Sequence, residues 1–198
     1  MPLLYSYVVD HDTGKAPNPW GGYCTLVHCK FQDNSKRRNI VELAKKGDWI
    51  LGTGGESKQS AGNKKIIYLM CVDEKLPFKS YLSDKRFIGR EDCRDGSKGN
   101  KFALVSKKFY YFGKNAIDIS KLPSVLQENL EKKGRGYRKD YPLEHLKKLC
   151  KWFSDRYEIG PHGNPCKPCT DKESKCPGKC RQSSTGNPAR GKLSHRPC

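Results

Sequence analysis

Near the C-terminal end four cysteines stand in the pattern Cys166-x2-Cys169-x6-Cys176-x3-Cys180. As thiolates, four sulfurs suit one tetrahedral Zn²⁺ and leave no open position for a substrate, so such a site is structural. His162 upstream, and His195 and Cys198 downstream, are further ligands of the right type. The loop of six between the cysteine pairs is shorter than in zinc ribbons and fingers, and free thiols in a coreless tail are the alternative. Towards the N-terminus, Asp10-His11-Asp12 is a polar cluster that could serve acid–base chemistry, although an ordinary turn explains it too. Cys24, close in sequence to Asn18, is a nucleophile if a base activates it and a packing residue if it is buried. Cys24 and Cys29 lie five apart with His28 between them, so on one strand they face opposite ways and make no metal pair. Thr53-Gly54-Gly55 invites comparison with phosphate-cradling loops, but neither GxxxxGK[ST] nor GxGxxG is present.

Aromatic residues alternate with cations in two places. Tyr5, Tyr7, Trp20 and Tyr23 stand near Lys15 and Lys30, and Tyr110, Tyr111 and Phe112 stand near Lys107, Lys108 and Lys114. Unpaired bases need stacking platforms beside phosphate-binding cations. Core packing is the competing explanation, and along Tyr110-Tyr111 one ring must face each way. The basic stretches from Lys85 to Lys101 and from Lys132 to Lys139 would hold a nucleic-acid backbone. The whole chain agrees with that: in 198 residues, 39 Lys and Arg face 21 Asp and Glu, a formal charge of +18. This is too basic for an ordinary metabolic enzyme surface and favours a polyanionic partner. No apolar run reaches membrane-spanning length, and MPLLYSYVVDHD lacks a signal peptide's basic n-region. The expectation is a soluble, cytoplasmic protein whose ten cysteines are thiols or metal ligands.

These residues need elements to position them. Leu3 to Val9 reads as a buried strand, followed by the Pro- and Gly-rich connection Ala16-Pro17-Asn18-Pro19-Trp20-Gly21-Gly22, stiff enough to aim its side chains. A strand over Tyr23 to Phe31 and a short helix carrying Ile40, Leu43 and Ala44 come next, with Gly47 closing the helix. Trp49 to Gly55 and Ile66 to Val72 form a hairpin with a long polar tip, and Pro77 opens a short helix. Phe102 to Ser106 and Phe109 to Gly113 supply further strands. Leu122, Val125, Leu126 and Leu130 mark one helical stripe, and Leu143, Leu146, Leu149, Cys150, Phe153 and Tyr157 another. After Gly160 the apolar pattern ends, and eight Lys or Arg face two acids up to Cys198. The domain boundary is placed at Ile159, with residues 160–198 a basic, Cys-rich tail.

The string Tyr5-x-Tyr7-Val8-Val9, then Gly14-x-Ala16-Pro17-Asn18-Pro19-Trp20-Gly21-Gly22-x-Cys24-Thr25-Leu26 and Cys29-Lys30, resembles the nucleotide-modification-associated domain family, second type. Gly47-Asp48-Trp49-Ile50-x-Gly52-Thr53-Gly54, Tyr81 to Phe87, Gly96-Ser97-Lys98 and Phe109-Tyr110-Tyr111-Phe112-Gly113-x-x-Ala116 are similar to its later strings, so the likeness spans residues 3–156. It implies association with modified nucleotides or DNA in modification and phage-conflict systems, alongside partner DNA-modification enzymes. Many members carry an insertion with Asp-Asn and Ser-His-His-Ser after the Gly-Ser-Lys string, and here Gly99-Asn100 leads almost directly to Phe102. If those histidines are catalytic in the family, the resemblance implies that this chain is a binding version or uses other groups. The Gly-Asp turn between strands also resembles PUA-like barrels of the EVE and ASCH kind, which hold a base in a cleft.

The resulting expectation is an α+β domain over residues 1–159, a small curved PUA-like β-barrel of five or six strands flanked by three or four helices. It would recognise, with or without modifying, a nucleobase in DNA or in a free nucleotide. Asn18 and Thr53 would bond the base edge, and Trp20 or Trp49 would stack on its face. Tyr7, Thr25 and Gly54 would line the same recess, and Lys30, Arg90 and Lys98 would hold phosphate. The alternatives are a nucleotide enzyme with Cys24 or Asp10 as nucleophile or base, and an interaction protein that binds through its zinc tail. If the tail holds its metal, purified protein contains about one equivalent of zinc by metal analysis, and less than about a tenth of an equivalent removes that site.

Overall fold

The computed structural model describes residues 1–27, 39–90, 92, 101–128, 130 and 136–166. Its strands form two sheets. The larger contains β1 (Leu4–Val9), β3 (Trp49–Gly54), β4 (Lys65–Cys71), β7 (Phe109–Tyr111), β8 (Ile117–Asp118), β9 (Tyr137–Arg138) and β10 (Gly160–Pro161), and the smaller contains β2 (Cys24–Leu26), β5 (Glu74–Pro77) and β6 (Phe102–Ser106). The larger runs β10-β7-β4-β3-β1-β9 with β8 beside β4, and the smaller runs β2-β6-β5. β1 and β3 are parallel, Tyr7 standing opposite Gly52, and β3 and β4 form the expected antiparallel hairpin with a bulge at Gly52/Thr53.

Alternation along these strands sorts the core into layers. On one face of the large sheet, Leu4, Trp49, Leu51, Leu69 and Tyr110 pack against Leu146, Leu149, Trp152 and Phe153 of the helix Leu143–Ser154. On the other face, Tyr5, Tyr7, Ile50, Tyr68 and Tyr111 meet Cys24, Leu26 and Leu104 of the small sheet. The outer face of the small sheet gathers Val27, Ala103 and Val105 with Phe78, Tyr81 and Phe87. Tyr110 and Tyr111 therefore do point opposite ways.

The fold is mixed α+β, and the expected barrel does not form among the described residues. The large sheet ends on β9 and β10, each two residues long, too short to carry the register that closes a barrel. The helices are also shorter than their apolar stripes suggest. In chain order, those that lie within the described residues are α1 (Ile40–Leu43), α2 (Phe78–Ser83), α3 (Ser124–Gln127) and α4 (Leu143–Ser154). Val125, placed on the buried stripe by its spacing, is 56% exposed, because α3 makes only one turn and cannot repeat a face. Local chemistry sets the boundaries: the Asn39 side chain accepts from the Glu42 N–H at 2.9 Å, and Gly47 has φ +90 in the turn into β3. In that turn the Asp48 carboxylate accepts from the N–H groups of Leu3 and Lys45, both at 2.8 Å.

The body also extends past Ile159. Gly160–Pro161 pairs with β7, and the Lys114 N–H donates to the Asn164 carbonyl at 2.8 Å. No helix among the described residues is long and apolar enough to cross a membrane.

Gly52 shows how closely these layers meet. A Cβ there would overlap the Tyr68 ring and lie 2.9 Å from Val9 Cγ2. Tyr68 cannot turn aside, since its hydroxyl donates to the Tyr7 hydroxyl at 2.8 Å. Gly52→Ala is expected to cost about 1–3 kcal/mol through overpacking, measured as a lower denaturant midpoint at unchanged slope.

Candidate functional site

The stiff connection predicted from its prolines folds back as a hairpin against β2. Gly21 and Gly22 both have positive φ, +66 and +76, as a type I′ turn demands, and the Tyr23 N–H closes the turn on the Trp20 carbonyl at 3.4 Å. Asn18 and Thr25 then exchange both backbone hydrogen bonds at 2.9 Å, which sets their side chains on one face. Cys24 and Leu26 face inward, so Thr25 faces outward towards Tyr81 and Phe87.

Two residues after the α2 region complete this corner. Arg90 Nη2 donates to the Asn18 side-chain and main-chain oxygens, both at 2.7 Å, and to Thr25 Oγ1 at 3.3 Å, while Nη1 donates to the Trp20 carbonyl at 2.6 Å. Asp92 has no exposed side-chain surface, and its Oδ2 accepts from the Tyr81 hydroxyl at 2.8 Å and from the Thr25 hydroxyl. Burial and the adjacent Asp92 charge push the Tyr81 hydroxyl well above the usual phenol range, so it stays a donor. Trp20, at the turn, is 43% exposed. Chemically, this is a fixed set of donors and acceptors beside an open aromatic face.

Four predicted binding residues therefore converge: Asn18, Trp20, Thr25 and Arg90. Arg90 does not play the expected phosphate-holding part, since both terminal nitrogens are directed inward at carbonyl and side-chain oxygens. Tyr7, Trp49, Thr53 and Gly54 belong to the large sheet instead. Thr53 donates to the Tyr7 carbonyl at 3.3 Å, the Tyr7 hydroxyl accepts from Tyr68, and Trp49 is 7% exposed within the helix-side core. Gly54 is a glycine because a Cβ would overlap the Gly62 carbonyl oxygen. Asn18 thus pairs with Thr25, while Thr53 hydrogen-bonds within the large sheet. Lys30, Lys98, Cys169, Cys176 and Cys180 lie outside the described residues.

The two predicted catalytic residues differ in their surroundings. Cys24 is completely buried between the sheets, and loss of solvent raises its thiol far above the ordinary range. A nucleophilic cysteine needs the opposite, so Cys24 is a packing residue. Asp10 ends β1 with its carboxylate over Gly55, where a Cβ would stand 2.5 Å from Oδ1. The buried member of the Asp10-His11-Asp12 cluster is Asp12, which accepts from the Tyr111 hydroxyl at 2.5 Å and the Cys166 N–H at 3.1 Å. Its carboxyl is raised by burial, and the Cys166 thiol beside it is pushed up to about 11. No group of three or more metal-ligating side chains occurs among the described residues.

Sequence reasoning missed Tyr81 and Asp92 as members of the corner. The only local signal was the Tyr81 to Phe87 string, and nothing in it shows that Tyr81 reaches Thr25. Native protein treated with an alkylating thiol reagent at mildly alkaline pH is expected to remain unlabelled at Cys24 by peptide mass mapping, and to label there once denatured. Labelling of Cys24 in folded protein would contradict its assignment to the core.

Neither the curated proteins nor the solved structures contain a match to this chain. A family model does match, in two segments covering residues 1–101 and 92–172, and it takes in the hairpin, β2, Tyr81, Arg90 and Asp92. The chain belongs to the family described as nucleotide modification associated domain 2.

Proposed function

We propose that this chain recognises a nucleobase, in nucleic acid or in a free nucleotide, at the Asn18–Arg90 corner, as its part in a nucleotide- or DNA-modification system. The observation that carries the reading is the way Arg90 draws Asn18, Thr25 and the Trp20 main chain together at a turn where Trp20 is exposed. Base recognition asks for rigid hydrogen-bonding groups next to an aromatic face, and this hairpin is rigid by construction. Family membership supports the nucleotide partner, and the charge of +18 supports an anionic one. Recognition is favoured over Cys24 catalysis because burial keeps that thiol protonated.

The test is an inventory of nucleotides that co-purify with the protein, followed by titration of the bound species by equilibrium dialysis. Trp20→Ala should remove about 1–3 kcal/mol of stacking, a roughly 5- to 150-fold loss of affinity, without changing the melting profile. Unchanged affinity in that variant, or no binding of any nucleotide or single strand to the wild type, would overturn the proposal.

A further inference from the structure

Among the described residues, three buried side-chain nitrogen or oxygen atoms have no hydrogen-bond partner: Arg90 Nε, Asp92 Oδ1 and His145 Nε2. His145 stands alone on α4. The other two lie together, 3.8 Å apart, inside a corner whose remaining polar atoms are well supplied. Asp92 Oδ2 already accepts from Tyr81 and Thr25, and Arg90 Nη1 and Nη2 already donate to the hairpin. At that distance they are an ion pair, but too far apart to hydrogen-bond each other, and a buried donor and acceptor that each lack a hydrogen bond cost about 1–3 kcal/mol and call for an explanation.

We infer that Arg90 Nε–H and Asp92 Oδ1 form a two-point reader for the Watson–Crick edge of an unpaired nucleobase. This rests on the nucleobase reading above and names the part of the base that is read. A donor beside an acceptor complements a ligand edge that presents an acceptor beside an N–H donor. That arrangement occurs as N3 with N4–H in cytosine, N1 with N6–H in adenine, O6 with N1–H in guanine and O4 with N3–H in thymine. In a duplex these atoms are engaged by the opposite strand, so the ligand is a free nucleotide or a single strand. Entry is from the Arg90 side, where the side chain keeps 10% of its surface while Asp92 keeps none. The hairpin is the fixed wall: Asn18 and Thr25 hold the guanidinium in place, and Tyr81 and Thr25 orient the carboxylate so that Oδ1 points away from them.

Asp92→Asn separates this role from a structural one. The amide oxygen can still accept from Tyr81 and Thr25, while its NH₂ replaces the acceptor at the Oδ1 position with a donor. Equilibrium dialysis would compare wild type, Asp92→Asn and Trp20→Ala with the four 2′-deoxynucleoside 5′-monophosphates and a single-stranded oligonucleotide. The wild type would also be tested against the tightest-binding monophosphate methylated so that its edge N–H is lost. At least about a tenfold loss is expected both for Asp92→Asn with the parent nucleotide and for wild type with the methylated one. Affinities within about twofold in both comparisons, with Trp20→Ala still weakened, would overturn the edge reader and leave the nucleobase reading standing. Absence of all binding would overturn the nucleobase reading and this inference with it. Should Asp92→Asn fail to fold, the methylated nucleotide on wild type decides alone.

Discussion

A carboxylate with no exposed surface must be surrounded by donors, and the corner of this molecule is arranged around that demand at Asp92. Tyr81 and Thr25 answer it directly, which ties the end of α2 to the middle of β2 across more than fifty residues of chain. Arg90 lies beside it and extends the tie to the hairpin, donating to the Asn18 and Trp20 carbonyls, each of which also accepts one main-chain hydrogen bond inside the hairpin. Two prolines deprive this hairpin of main-chain donors, so it cannot zip itself closed along its length. An arginine with five donors and no acceptor is suited to hold such a carbonyl-rich segment.

The same economy of donors appears just after β1. Asp12 is buried and accepts from Tyr111 in the large sheet and from the main chain of Cys166. The segment after β10 is thereby fastened to the turn after β1, and Gly163 and Gly113 have no room for side chains because the Phe112 and Asn164 carbonyls press against them. Pro165 meets Gly14, which in turn lies near the Trp20 indole nitrogen. The start of the Cys-rich region is therefore held near the hairpin that carries the candidate site.

The cysteines bear on what kind of chemistry this body supports. Cys24, Cys71, Cys150 and Cys166 are free, and burial raises each thiol, Cys71 to about 11 and Cys150 to about 12. Each is thus kept in its protonated, weakly nucleophilic form at neutral pH. What the corner offers instead is fixed hydrogen-bonding geometry next to an exposed tryptophan.

Much of the local structure was legible because its causes are local. Strand alternation placed Tyr110 and Tyr111 on opposite faces, Gly47 and the Gly21-Gly22 pair announced turns, and the leucines from 143 to 149 announced α4. Asn18, Trp20, Thr25 and Arg90 were among the candidate residues, and the fold brings these four together, but the sequence carried no sign of how Arg90 is used. Which sheet each strand joins was settled only by long-range packing. Phe102–Ser106 and Phe109–Tyr111 are three residues apart yet lie in different sheets, and Thr53 belongs to the large sheet while Asn18 bridges to Thr25 of the small one. Residue types and turn chemistry thus dictated the parts and the stiffness of the hairpin. The three-dimensional fold alone decided that Tyr81, Arg90 and Asp92 would meet it, because a buried carboxylate finds its donors through space and leaves no periodicity along the chain.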